Sequence, residues 1–395
     1  MIPVNEPLLA KKTLAYVSDC VKSGWISSAG SYIPRFEEAF AAYLGVKHAV
    51  TTTSGTTALH LALASLDIGP GDEVVLPAQT MIAVPYAVLY TGAKPVIVDV
   101  DRETFNMDPA AVGEFLHHGC RYDRRKKALL NKKTGRRVRA LLPVHLYGHP
   151  CAMDKILALA KEFGLPVIED AAEAHGALYY PGGDSGKARF CGTMGKVGCF
   201  SFYANKIITT GEGGMVVTND DAVADRARRL KDLAHAPGQR FLHTELAYNY
   251  RMTNVQAAIG LAQVEEIDRF ISLKQKMAAA YGRGLHGIRG LTLPVEKPWA
   301  RNVYWMYGVV VEDDFGMTRD ALMARLKTAG IDTRTFFIPV HKQPVFAKDR
   351  DYWSSSCPVS DELGNRGLYL PSGLALKPAQ IRQVCAAVRE TIRQA

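Results

Sequence analysis

The chain has 395 residues, 48% of them hydrophobic and 22% charged, with a formal net charge of +9. This composition excludes disordered, collagen-like and coiled-coil proteins, and the length allows two or three domains with sizeable cores. No apolar run approaches the roughly 18 residues of a membrane span, and Met1-Ile2-Pro3-Val4-Asn5-Glu6 carries no basic segment followed by an apolar one, so a cytoplasmic location without a membrane partner is expected.

In chain order, the first 220 residues alternate between two kinds of segment. Apolar or β-branched runs at 49–53, 73–76, 95–98, 138–144, 166–168, 198–202 and 215–218 predict strands. Segments 56–65, 82–90, 109–116 and 153–163 carry apolar residues at three- and four-residue spacing and predict helices. Gly69-Pro70-Gly71-Asp72 marks one junction. Continuous apolar runs indicate strands buried on both faces, hence a mostly parallel α/β sheet covered by helices. The stretch 117–139 is crowded with Arg and Lys, from Arg121 to Arg139, and reads as a solvated basic loop. No zinc-finger spacing or RNA-binding aromatic signature accompanies it, so no nucleic-acid partner is expected.

A long helix is expected from Asn254, taken as its N-cap, to about residue 281. After it come a strand at 304–311, a helix following Thr318, a strand near 332–336 and a last helix from Pro378. The expected division is a large α/β domain with an N-terminal arm over 1–253, a connecting helix over 254–283, and a small C-terminal α+β domain over 284–395. The seven cysteines include no C-x-x-C, so neither a disulfide framework nor a zinc ribbon is indicated.

Three segments carry chemistry, each where an open sheet presents ligands beyond its strand ends. In Thr53-Ser54-Gly55-Thr56-Thr57, a strand gives way to a helix whose free N–H groups, with the hydroxyls of Ser54 and Thr56, suit a phosphate; simple helix capping is the competing reading. In Glu169-Asp170-Ala171-Ala172-Glu173-Ala174-His175, a strand delivers acids to its end. Asp170 there can meet a metal, a ribose or a protonated ring nitrogen, or cap the following helix. In the run 199–214, Lys206 follows a strand within a Gly- and Thr-rich loop, with apolar neighbours that favour an imine-forming amine. An isolated lysine is normally a surface charge. A phosphate cradle, a strand-end acid and a loop lysine are together what a pyridoxal 5'-phosphate (PLP) site requires. His145, His149 and His175 match no metal-site spacing, and no metal is expected.

These motifs resemble those of the DegT/DnrJ/EryC1/StrS family of sugar aminotransferases. The resemblance spans nearly the whole chain and includes Gly24-Trp25-Ile26-Ser27-Ser28, Pro143-Val144-His145-Leu146-Tyr147-Gly148, Tyr248-Asn249-Tyr250-Arg251 and Pro339-Val340-His341. It implies a fold type I PLP enzyme, usually a homodimer, that aminates a nucleotide-linked 4-keto sugar with L-glutamate as donor. Lys206 would carry the cofactor and move the proton. Asp170 would pair with the pyridine nitrogen, and Glu173 would lie near the phenolic oxygen. Ser54, Gly55, Thr56 and Ser201 would hold the phosphate, and Asn249 would reach it from the neighbouring subunit. Met81 stands where relatives often carry an aromatic residue stacked on the cofactor. Trp25, Ser27 and His341 would lie in the sugar-nucleotide pocket. Segments 169–173, 205–214 and 249–256 resemble family members that turn GDP-4-keto-6-deoxymannose into GDP-perosamine. The long basic stretch resembles members that aminate UDP- or dTDP-linked sugars for legionaminic acid or bacillosamine. A sugar 3-dehydratase on the same scaffold lacks the lysine that is present here. A regulatory or nucleic-acid-binding protein using the basic stretch is the non-enzymatic alternative.

Overall fold

The computed structural model describes residues 1–183, 187–349 and 356–393. Its central sheet has seven strands: β1 (His48–Thr52), β2 (Asp72–Pro77), β3 (Lys94–Val98), β4 (Arg137–Leu141), β5 (Ile168–Asp170), β6 (Val197–Ser201) and β7 (Gly214–Thr218). They lie in the order β3-β2-β4-β5-β6-β7-β1, with β4 and β5 joined by parallel bridges at Leu141–Val167 and Val144–Asp170. Only β7 runs antiparallel to its neighbours. Every residue of β2, β6 and β7 is buried, as expected of strands covered on both faces. Register fixes what meets at one edge: Asp170 lies beside Cys199, Ser201 beside Gly214, and Gly214 beside Thr52.

Two N-terminal helices, Thr13–Ser23 and Tyr32–Leu44, had no counterpart in the expected elements. The second buries Phe36 and Phe40 against Phe202 and Phe200, with ring centres 5.1 and 5.0 Å apart. The expected long helix is two helices, Asn254–Val264 and Ile267–Leu285. Its N-cap is Thr253, not Asn254. The Thr253 hydroxyl accepts from Gln256 N–H and the Gln256 side chain accepts from Thr253 N–H, a closed capping box. Asn254 instead ties the N-terminal segment down, accepting from Tyr32 N–H and donating to the Trp25 carbonyl.

The basic stretch is not a loop. It forms a hairpin, Cys120–Asp123 with Ala128–Asn131, leading into β4. Its Leu129 and Leu130 are buried, and the buried Glu73 accepts from Asn131 Nδ2 and Thr134 Oγ1. This hairpin stands at the amino end of β4, the edge of the sheet away from Asp170.

A second sheet of short antiparallel strands, Leu291–Thr292, Tyr307–Val311, Gly367–Leu370 and Arg334–Thr335, is covered by helices Arg319–Thr328 and Pro378–Arg393. It has its own apolar core. Helix Ile267–Leu285 serves both cores: Ile267, Phe270 and Ile271 pack into the first, while Met277, Ala278, Tyr281 and Leu285 pack into the second. Ile2 also belongs to the second core and exchanges main-chain hydrogen bonds with Gly330 and Asp332.

Candidate active site

The carboxyl ends of β5 and β6 and the helix that follows β1 enclose a cavity of about 360 Å³. Ser54, Gly55, Thr56, Met81, Asp170, Glu173, Ser201 and Lys206 all line it. The structure thus brings together the three segments that the sequence singled out.

Helix Gly55–Ser65 starts at the cavity because Ser54 caps it. Thr57 N–H donates to Ser54 Oγ at 3.1 Å, and Ser54 N–H donates to Thr57 Oγ1 at 2.9 Å. The N–H groups of Gly55 and Thr56 have no intrahelical acceptor and no protein partner among the described residues. Capping and anion binding are therefore compatible here. Glycine is required at position 55: a Cβ there would sit 2.6 Å from Ser201 Cβ. That close approach sets the helix terminus against the end of β6.

Glu169 and Asp170 point to opposite faces of β5, and their surroundings differ sharply. Glu169 is fully buried and accepts from the N–H groups of Gly192, Met194 and Gly195 and from His145 Nε2. Cys151 N–H donates to His145 Nδ1 at 3.0 Å, so the ring proton sits on Nε2. Burial opposes ionisation of Glu169, but the His145 hydrogen bond and these N–H groups hold its carboxyl below the ordinary range. The side chain of Asp170, a residue 5% exposed, accepts from Ala172 N–H at 2.9 Å through Oδ1. Its Oδ2 has no protein donor among the described residues. Burial pushes this carboxyl up, against the Ala172 hydrogen bond and the charge of Lys206.

Lys206 Nζ lies 3.5 Å from Glu173 Oε1 and 3.8 Å from the centre of the Trp305 ring. Ile207 and Ile208, which follow Lys206, are buried in the core. Glu173 Oε2 accepts from Tyr147 N–H at 2.8 Å. Burial pushes the Glu173 carboxyl up to about 7, countered by Lys206 and Tyr147. Met81, 45% exposed, lies at the cavity wall.

Four expected residues do not line this cavity. Asn249 is exposed, and its Oδ1 accepts from Arg251 Nε. The carbonyls of Trp25 and Ser27 accept from Asn254 Nδ2 and N–H, which places main chain rather than side chain at that junction and leaves the Trp25 indole exposed. His341 is turned toward Asp361, with Nε2 2.7 Å from Oδ1. Conversely, the cavity recruits Thr80, Tyr203, Glu212, Trp305, Phe337 and Tyr369. Tyr203 and Glu212 fall inside the lysine loop and Thr80 adjoins Met81. Trp305, Phe337 and Tyr369 arrive from far along the chain without a local signal.

The donor set fits PLP. A helix terminus with unpartnered N–H groups suits its phosphate, the unpartnered Asp170 oxygen suits a protonated ring nitrogen, and an amine stands in the same cavity. The α/β fold is that of PLP-dependent sugar aminotransferases. The chain belongs to the DegT/DnrJ/EryC1/StrS aminotransferase family, whose profile matches residues 7–389. It is 41% identical to the GDP-perosamine synthase of Caulobacter vibrioides over 99% of this chain and 98% of that one. It is 40% identical to the GDP-perosamine synthase of Escherichia coli O157:H7 over 98% of both chains. A crystal structure of DesV from S. venezuelae superposes with a TM-score of 0.85 at 36% identity, covering 97% of this chain and 95% of that one. The protein is a PLP-dependent sugar aminotransferase.

Proposed function

We propose that this enzyme transfers the amino group of L-glutamate to C4 of a nucleotide-linked 4-keto-6-deoxy sugar, with GDP-4-keto-6-deoxymannose as substrate and GDP-perosamine as product. One observation carries the reaction: the Lys206 amine, the Asp170 carboxylate and the helix terminus at Ser54, Gly55 and Thr56 face a single cavity. The choice of sugar rests on the two relatives named above, which are similar over nearly the entire chain.

Bound PLP supplies the electron sink for the carbon that gives or receives nitrogen. The residues do the rest. Lys206 Nζ would hold the cofactor and would take and return the proton that the donor carbon gives up. Asp170 would place a negative charge by the ring nitrogen and so favour its protonated form. Ser54, Gly55, Thr56 and Ser201 would bind the phosphate, and Glu173 would lie near the phenolic oxygen. Met81 would pack against the ring through its thioether. In a homodimer, Asn249 of one protomer reaches the phosphate of the other. Trp25, Ser27 and His341, outside the cavity walls, are assigned to the nucleotide end of the substrate.

The basic hairpin stands at the amino end of β4, the edge of the sheet away from Asp170. No described helix is long and apolar enough to cross a membrane. All seven cysteines are free and buried, which suits a reducing cytoplasm.

Two measurements test the reading. Borohydride reduction of the yellow holoenzyme followed by peptide mapping should place the pyridoxyl group on Lys206; an adduct on another lysine overturns the mechanism. Turnover is then compared on GDP-, UDP- and dTDP-linked 4-keto sugars. A kcat/KM tenfold higher for the UDP or dTDP compound, about 1.4 kcal/mol in transition-state binding, overturns the GDP assignment and leaves the aminotransferase intact.

A further inference from the structure

A second lysine, Lys274, is almost wholly removed from water, at 2% exposure. It lies on helix Ile267–Leu285 between residues that serve the first core and residues that serve the second. Among the described residues it forms no ion pair. Its Nζ donates to the carbonyl of Trp305 at 2.8 Å and to the carbonyl of Ser372. Burial alone pulls its pKa down to about 7. Isolated buried ammonium groups are costly, and an apolar side chain of similar volume would fill the same space at less cost.

What Lys274 grips explains its presence. Trp305 is the residue whose ring face stands 3.8 Å from Lys206 Nζ. Its indole Nε1–H donates to the carbonyl of Asn205, the residue before Lys206, at 2.8 Å. On its main-chain side, Trp305 N approaches Gly148 so closely that a Cβ at 148 would lie 2.8 Å from it. The indole is thus fixed at both ends, and the amine of Lys206 lies against its face.

We propose that Lys274 is a positioning residue acting through Trp305: by holding the Trp305 carbonyl it keeps the indole over the Lys206 amine and on the Asn205 carbonyl, and so sets how readily that amine is reached. The proposal rests on Lys206 being the lysine of the reaction. Its test is read in full-length protein freed of PLP, so its failure is distinct from a pyridoxyl adduct that maps elsewhere.

The probe is reductive methylation with formaldehyde and cyanoborohydride, with the rate at Lys206 followed by peptide mass spectrometry and the exposed Lys11 as internal reference. Trp305→Ala should speed methylation of Lys206 at least about threefold relative to Lys11, and Lys274→Met should do the same. Residues acting in series are not additive, so the double variant should be no faster than Trp305→Ala alone. Trp305→Phe keeps a ring but loses the bond to Asn205, and should fall between Trp305→Ala and the unaltered protein. An unaltered Lys206 rate in Trp305→Ala overturns the proposal even if Lys274→Met does not fold. Additive rates in the double variant, or an unaltered rate in a folded Lys274→Met, remove Lys274 from its role.

Discussion

The two walls of the cavity are built on different physics. One wall is polar and made of strand ends: Ser54, Gly55 and Thr56 after β1, Asp170 at the end of β5, Ser201 at the end of β6. Sheet register and a helix cap place these groups. The other wall is aromatic: Trp305, Phe337 and Tyr369, from segments attached to the second sheet. It is held by ring packing around Tyr147, which lies 5.7 Å from Phe337 and 5.9 Å from Tyr369, and by the buried Lys274. The first wall carries charges where charge must change during reaction. The second excludes water and covers the amine. Chemistry should therefore fail abruptly when the first is altered and by degrees when the second is.

The largest expected break is Lys206→Ala, which should cut turnover by roughly 10⁴-fold, the upper range for a positioned proton-transfer group. Normal turnover in that variant would end the comparison. Asp170→Asn keeps the shape of the polar wall and removes its charge. The half-reaction with the proposed donor, L-glutamate, should slow by roughly 10³-fold, equivalent to the three pKa units a paired charge can supply, while some PLP still binds. A single-turnover rate equal to that of the unaltered enzyme would take Asp170 out of its role.

Glu173 sharpens the comparison through pH. In cofactor-free protein its folded carboxyl keeps a proton up to about pH 7, whereas the unfolded chain releases it near 4.5. The folded state holds the extra proton between those values. The resulting stability, about 3 kcal/mol, is fully present below pH 4.5 and is lost as the pH rises toward 7. Glu173→Gln should flatten that slope in urea unfolding; an identical slope would assign it to another group. Gly55→Ala should cost about 2 kcal/mol, the usual penalty of overpacking a tight site, because its methyl group meets Ser201 Cβ. An unshifted melting temperature would show that the helix terminus moves freely. Smallest of all, replacing Arg124, Arg125 and Lys126 in the hairpin by Gln should change stability by no more than about 0.5 kcal/mol and leave kcat/KM unaltered. A large loss of activity would bring the hairpin into the site after all.

The polar wall was legible in the sequence because each piece is a local strand-to-turn signal: Thr53-Ser54-Gly55, Ile168-Glu169-Asp170 and Asn205-Lys206 name themselves without knowledge of the rest. The aromatic wall was not legible, since Trp305 reaches Lys206 only through tertiary packing and no spacing marks it. The same limit separated Glu169 from Asp170, because strand alternation says that they diverge but not which face holds the cavity. In the basic stretch, charges at 121–127 masked the short run Ala128–Asn131, whose buried leucines make it a strand. At 253–256 two adjacent polar residues both suit a cap, and only the closed bond pair between Thr253 and Gln256 decides it.

Ile2 packs in the second core and bonds to the main chain at Gly330 and Asp332. On the ribosome these partners appear about 330 residues after it. At roughly 5–20 residues per second, Ile2 waits on the order of 15–65 seconds for the surface that will bury it. The segment beside the first core is therefore made early and docked late, and the second core closes only when translation is nearly done.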